Sequence, residues 1–289
     1  MGENTPTYFQ KQSNLNKKTL TIQMLQLLQQ LILLIGCATG AITDAKTGYI
    51  YDYVTIPMIV LGIILSILQM QWTNLIVGTI IFILLYITYK LGKIGGGDVK
   101  LFASIALLNP YNDYFFLVTT IFFAAMSAMV FYAIYYFIKY ARVGINLNEN
   151  KNGITKAIIF GIIIIVYFGI MVLKEYVALP VAELLTIPII FGLIFIAFQE
   201  GIKKNFFEKK IALKDLEDDE VIAEGRNLAK VIELLKGKQL IGEKEIQLLK
   251  KHKITSIYVL RGLPPFGPFI LLGVLAALAQ PNFLSILFL

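Results

Sequence analysis

The sequence predicts an all-α polytopic membrane protein of about eight spanning or partly spanning helices, with a small cytoplasmic α/β module inserted before the last of them. Three observations predict it. Of the 289 residues, 57% are hydrophobic and only 16% charged, where soluble domains run at roughly 45–50% and about a quarter. Several uninterrupted apolar runs approach or exceed the roughly 20 residues that a helix needs to cross a bilayer. Between Gln199 and Gly262 the chain turns abruptly charged, then apolar again.

Composition also excludes. The single Cys37 offers neither an intramolecular disulfide nor a cysteine-based zinc site. The single His252 leaves no His-rich metal site, and no cofactor is called for. Lys and Arg outnumber Asp and Glu by 26 to 19, for a net charge of +7. In a membrane chain that excess reads as orientation rather than nucleic-acid binding.

In chain order, residues 1–18 read as a polar N-terminal tail without the apolar core and small-residue cleavage site of a signal peptide. Residues 19–198 read as a membrane helical domain. Its first span runs from Leu20 to about Thr43, diluted by Gln23, Gln26, Gln29 and Gln30, which are expected to face protein or the interface. Further runs cover Tyr53 to Met70, Trp72 to Leu91, Val99 to Leu108, Tyr114 to Ile138, Ile154 to Leu173 and Leu179 to Phe198. The Val99 run spans incompletely unless Gly95 to Asp98 begins the helix inside a protein-lined cavity. In the module, residues 199–262, strands are expected at Ile211 to Leu213 and Ser256 to Leu260. Amphipathic helices are expected at Asp218 to Leu235 and Glu243 to Lys251. Residues 263–289 form the C-terminal transmembrane helix.

Orientation follows from the basic residues. If all the runs cross, Lys46, then Lys90, Lys93 and Lys100, then Lys139, Arg142, Lys151 and Lys156, and finally the module share one side. That side is therefore cytoplasmic. Lys11, Lys17 and Lys18 of the tail fall on the other side and violate the rule.

Carboxylates at membrane helix ends are costly, and two clusters carry them. The first runs from Asp44 through Lys46 and Ile50 to Asp52, and the second is Gly95-Gly96-Gly97-Asp98-Val99-Lys100. Both catalytic loops, 44–52 and 94–100, fall on the same predicted face although Asp44 and Asp98 lie 54 positions apart (98 minus 44). Two neighbouring carboxylates share one proton, so one acts as general base on a water while its partner donates to the scissile carbonyl. The three glycines are expected to form a flexible loop at positive φ beside which a substrate strand lies. As separate residues, Asp44, Asp52 and Asp98 read equally as loop-end and helix-capping groups.

With those residues in view, the sequence resembles the archaeal prepilin and preflagellin peptidases, GxGD membrane aspartyl proteases of the type IV prepilin peptidase family. The resemblance rests on Asp44 with Lys46, Ile50 and Asp52 at their spacings, and on Gly-Gly-Gly-Asp-Val-Lys. It implies Asp44 and Asp98 as the catalytic pair, with Gly95, Gly96, Gly97, Asp52, Lys46 and Lys100 in support. Leu263-Pro264-Pro265-Phe266-Gly267-Pro268-Phe269 is similar to the family's Pro-Phe-x-Pro signature. Bacterial relatives carry paired Cys-x-x-Cys motifs and also N-methylate; this chain has one cysteine, so no methyltransferase activity is expected.

The substrates so implied are prepilin or preflagellin (archaellin) precursors with class III signal peptides, cut at the cytoplasmic face of the cell membrane. Asp52 and the Glu217-Asp218-Asp219-Glu220 run are candidates to attract their basic leaders. Gly36 and Gly40 form a GxxxG pair that leaves a homodimer open. Two alternatives stand beside this reading: a presenilin-like intramembrane protease using Asp52 and Asp98, and a non-enzymatic transporter with a proton or cation relay.

Overall fold

The computed structural model describes residues 8–176, 179–217, 220–223, 225–227 and 229–283. Asp218 and Asp219 of the acidic run, and the side chains of Lys11, Lys17 and Lys18, lie outside the described residues. The chain is a polytopic helical membrane protein with a small mixed module before its last described helix. Seven helices precede the module: α1 (Tyr8–Thr47), α2 (Asp52–Leu68), α3 (Trp72–Lys90), α4 (Gly96–Leu107), α5 (Tyr114–Val143), α6 (Lys151–Leu173) and α7 (Leu179–Ile202). Among the described residues, five helices are long and apolar enough to cross a membrane: α1, α3, α5, α6 and α7. The other three of the eight expected spanning or partly spanning runs are α2 and α10 (Gly267–Ala279), which are shorter apolar helices, and α4, which has 12 residues.

The expected N-terminal tail is helical from Tyr8, continuous with the first span as one 40-residue helix. Gln29, as expected of a polar residue in such a helix, faces protein: it is buried and donates to Gln71 at 2.9 Å.

Helix α4 is the interior of the membrane domain. At 1.5 Å per residue its length is about 18 Å, well short of the roughly 30 Å hydrocarbon core. Every residue from Leu101 to Leu107 is buried. Neighbouring helices make room with glycine: a Cβ at Gly62 of α2 or Gly78 of α3 would come within 2.8 or 2.7 Å of the Leu107 side chain. Leu33, Cys37, Met58, Leu101, Ile105 and Ile270 complete one apolar core across α1, α2, α4 and α10. The GxxxG glycines of α1 belong to this packing, Gly36 against Met58 and Gly40 against Ile50 and Leu101. By contrast, Gly153 is the one buried residue of α6, which packs chiefly on α7.

After α7 a single π turn, Lys203–Phe207, leads into the module. Strands β1 (Glu208–Ala212), β2 (Glu220–Ile222), β3 (Leu240–Ile241) and β4 (Ser256–Leu260) form an antiparallel sheet in the order β1-β4-β2-β3. Ile257 and Val259 alternate inward on β4 and share a core with Val231 and Leu249 of the two short helices α8 (Ala229–Leu234) and α9 (Glu243–Lys251), and with Leu235 just after α8. The expected strand at 211–213 is shifted to Glu208–Ala212. The single helix expected from Asp218 to Leu235 is replaced by β2 and the six-residue α8. Asn227 explains the break: its amide donates to the Ala223 and Tyr258 carbonyls at 2.8 and 2.7 Å and accepts from Tyr258 N at 2.8 Å, hydrogen bonds that compete with a helix.

Candidate active site

The two motif aspartates sit on helices rather than in loops, which narrows the expected loops 44–52 and 94–100 to residues 48–51 and 91–95. Asp44 belongs to the last turn of α1, which Gly48 closes at φ 75° with its N–H on the Asp44 carbonyl at 2.8 Å. That positive φ is the left-handed stop at which glycine ends helices. Asp98 belongs to the first turn of α4, three residues after the N-cap Gly95.

The glycines before Asp98 do not form an open loop at positive φ. Gly95 is extended (φ −71°, ψ 144°), while Gly96 and Gly97 are the first helical residues. Their smallness answers to neighbours. A Cβ at Gly97 would lie 2.8 Å from both Cβ and the carbonyl oxygen of Ile50, and one at Gly96 would lie 3.3 Å from the Tyr89 ring. Gly97 on Ile50 therefore docks the start of α4 against the loop that follows Asp44. The two carboxylates share one electrostatic neighbourhood, in which Asp44 is the charge that bears on Asp98.

Asp44 is 7% exposed. Its carboxylate accepts the N–H of Gly267 at 2.6 Å, so the lead-in turn of α10 closes over it from 223 positions away (267 minus 44). Gly267 has to be small here, since a Cβ would meet Asp44 Cβ and Oδ2 at 3.0 Å and Ala41 Cα at 3.2 Å. Sequence reasoning placed the proline-rich signature at the head of this helix without connecting it to Asp44. The available signal was the density of Pro264, Pro265 and Pro268 around two residues that keep their N–H.

The supporting candidates divide. Asp52, first residue of α2, accepts from Lys100 at 2.5 Å, so this lysine pairs with Asp52. Lys46 is exposed on the last turn of α1. The module reaches both loops. Tyr49 donates its hydroxyl to Glu217 at 3.0 Å, and Gly92 (φ 67°) lies against Val221 and Gln239. The Glu217 carboxylate holds the Tyr49 hydroxyl above its usual range, so this contact persists through neutral pH. Arg261 binds Glu220, Glu217 and the Asp215 carbonyl, which anchors the sheet beside the signature turn. Among the described residues, no three His, Cys, Asp or Glu side chains converge.

A buried carboxylate held by a backbone N–H, with a second carboxylate at a helix start in the same electrostatic neighbourhood, is suited to passing protons. Neither a curated protein nor a solved structure matches the chain. A family model does match part of the chain: residues 31–135, which contain both aspartates, the three glycines and Asp52, are similar to the type IV leader peptidase family, and that match supports a peptidase of this kind.

Proposed function

We propose that this chain is an aspartyl endopeptidase that removes the short basic leader from prepilin-like or preflagellin precursors at the cytoplasmic membrane face, with Asp44 and Asp98 as its catalytic pair. The observation that carries the reading is their convergence. Asp44 from the end of α1 and Asp98 from the start of α4 share one electrostatic neighbourhood, docked by the contact of Gly97 with Ile50. In this reading one carboxylate takes a proton from water as the water attacks the scissile carbonyl. The partner, protonated, donates to the carbonyl oxygen, and the leaving amine is protonated as the tetrahedral intermediate collapses. A precursor helix lying in the bilayer brings the junction with its leader to the level at which α1 ends and α4 begins. Hydrolysis is the only chemistry assigned.

The pairing of Asp52 with Lys100 supports Asp44, rather than Asp52, as the partner of Asp98. The test is cleavage of a model prepilin in detergent by the wild type and by equally folded Asp44→Asn, Asp52→Asn and Asp98→Asn variants. Loss with Asp44 and Asp98, and partial loss with Asp52, is expected. Retained cleavage by Asp44→Asn together with loss in Asp52→Asn would move the reading to a presenilin-like pair.

A further inference from the structure

The turn that covers Asp44 contains Pro264, Pro265, Phe266, Gly267 and Pro268. Proline has no backbone N–H, so only Phe266 and Gly267 in this stretch can donate. Gly267 donates to the Asp44 carboxylate at 2.6 Å. The turn is held from α5 as well: Tyr132 donates its hydroxyl to Pro265 O. Tyr132 further grips the turn through its ring, which packs edge-on against Phe269 with centroids 5.0 Å apart.

From this geometry we propose that Tyr132 is a positioning residue for the active site: by fixing the Pro265 carbonyl, two residues before Gly267, it holds the turn whose Gly267 N–H binds Asp44 and so fixes the orientation of that carboxylate. The proposal rests on Asp44 belonging to the catalytic pair. Tyr132 acts through the turn and is not itself assigned a contact with substrate.

The test compares four proteins on a model prepilin in detergent: wild type, Tyr132→Phe, Tyr135→Phe as a control on the same helix, and Asp44→Asn. Steady-state kinetics are read at matched folded fractions. Tyr132→Phe removes one oxygen and keeps the ring on Phe269. Misorientation of a catalytic group costs up to about a hundredfold in rate. A fall in kcat of about tenfold, with KM held within about twofold, is expected here because Gly267 still binds Asp44. Tyr135→Phe should match the wild type. Hydrogen exchange of the segment 263–268 should quicken in Tyr132→Phe, and 3-fluorotyrosine at position 132, which keeps the hydroxyl, should restore kcat. Unchanged kcat in Tyr132→Phe, with Asp44→Asn inactive, overturns the positioning role and leaves the catalytic pair standing. A rise in KM alone also overturns it, because the hydroxyl would then be serving substrate binding. Full cleavage by Asp44→Asn overturns the catalytic pair, and this proposal with it.

Discussion

Lys100 Nζ lies 2.5 Å from Asp52 Oδ1, so the lysine two positions after Asp98 is committed across the α2–α4 contact to the first residue of α2. Both side chains are part-exposed, 34% and 58%. Pairs of this kind are worth at most ~1 kcal/mol and weaken with salt.

Asp52→Asn is therefore expected to leave thermal stability nearly unchanged and to slow cleavage by no more than about fivefold, the rate equivalent of that energy. Raising the salt should shrink the difference from wild type. Melting curves and cleavage time courses at low and high ionic strength check this. Complete inactivity of a folded Asp52→Asn protein would give Asp52 a chemical role.

The glycines of the second motif should not be interchangeable. Gly97→Ala places a methyl 2.8 Å from the Ile50 backbone oxygen, which cannot step aside, whereas Gly96→Ala meets a tyrosine ring edge at 3.3 Å. Overpacking of this sort costs about 1–3 kcal/mol. We expect Gly97→Ala to lower both melting temperature and cleavage, and Gly96→Ala to do so less. The reverse order in a paired melting and activity assay would contradict the docking role given to Gly97.

The contact between Tyr49 and Glu217 sets a pH dependence. The Tyr49 hydroxyl titrates higher in the folded protein than in the unfolded chain, because Glu217 accepts its proton in a hydrogen bond. A raised folded value means that the stabilisation is fully present below the unfolded tyrosine range, about pH 10. It is lost as pH rises through the folded value. Wild type should thus be more stable than Tyr49→Phe at neutral pH, and the gap should close above about pH 10. Denaturant melts of both proteins across that window provide the measurement, and a gap that widens with pH would refute it.

The α6–α7 hairpin is fastened at one end by Asn150. This buried side chain accepts from Gly201 N at 3.0 Å and donates to the Tyr140 hydroxyl at 2.9 Å. Asn150→Ala leaves buried polar groups without partners, at a cost of about 1–3 kcal/mol. Faster hydrogen exchange around 144–150 is expected, with prepilin cleavage within about twofold of wild type, since uncoupled sites keep their energetics separate. A cleavage defect as large as that of Asp98→Asn would tie this hairpin to the active site.

Much was legible in the sequence because the information was local. Windows of about 20 residues decide between lipid and water, so the long helices α3, α5, α6 and α7 fall where hydropathy puts them. The spacing from Asp44 to Asp52 and the Gly95–Lys100 string could be read without knowing any contact. The misreadings share a cause as well. Asp218 to Leu235 carries helical periodicity, but Val221 and Ile222 are drawn into a sheet by β4, 35 or more positions away. Nothing within the run itself announces that pairing.

What the sequence determined by itself is a membrane-embedded helical protein with two motif aspartates at helix ends and a charged module between its last long helices. Tertiary structure alone decided that α4 is an interior helix, that Gly97 is small to admit Ile50, and that Asp44 is covered by the turn of Phe266 and Gly267. The physical reason is that partition into lipid is a sum over neighbouring residues. Which helix faces meet depends instead on shape and hydrogen-bond complementarity between segments as far apart as α1 and α10, and these interactions form only when the helices pack.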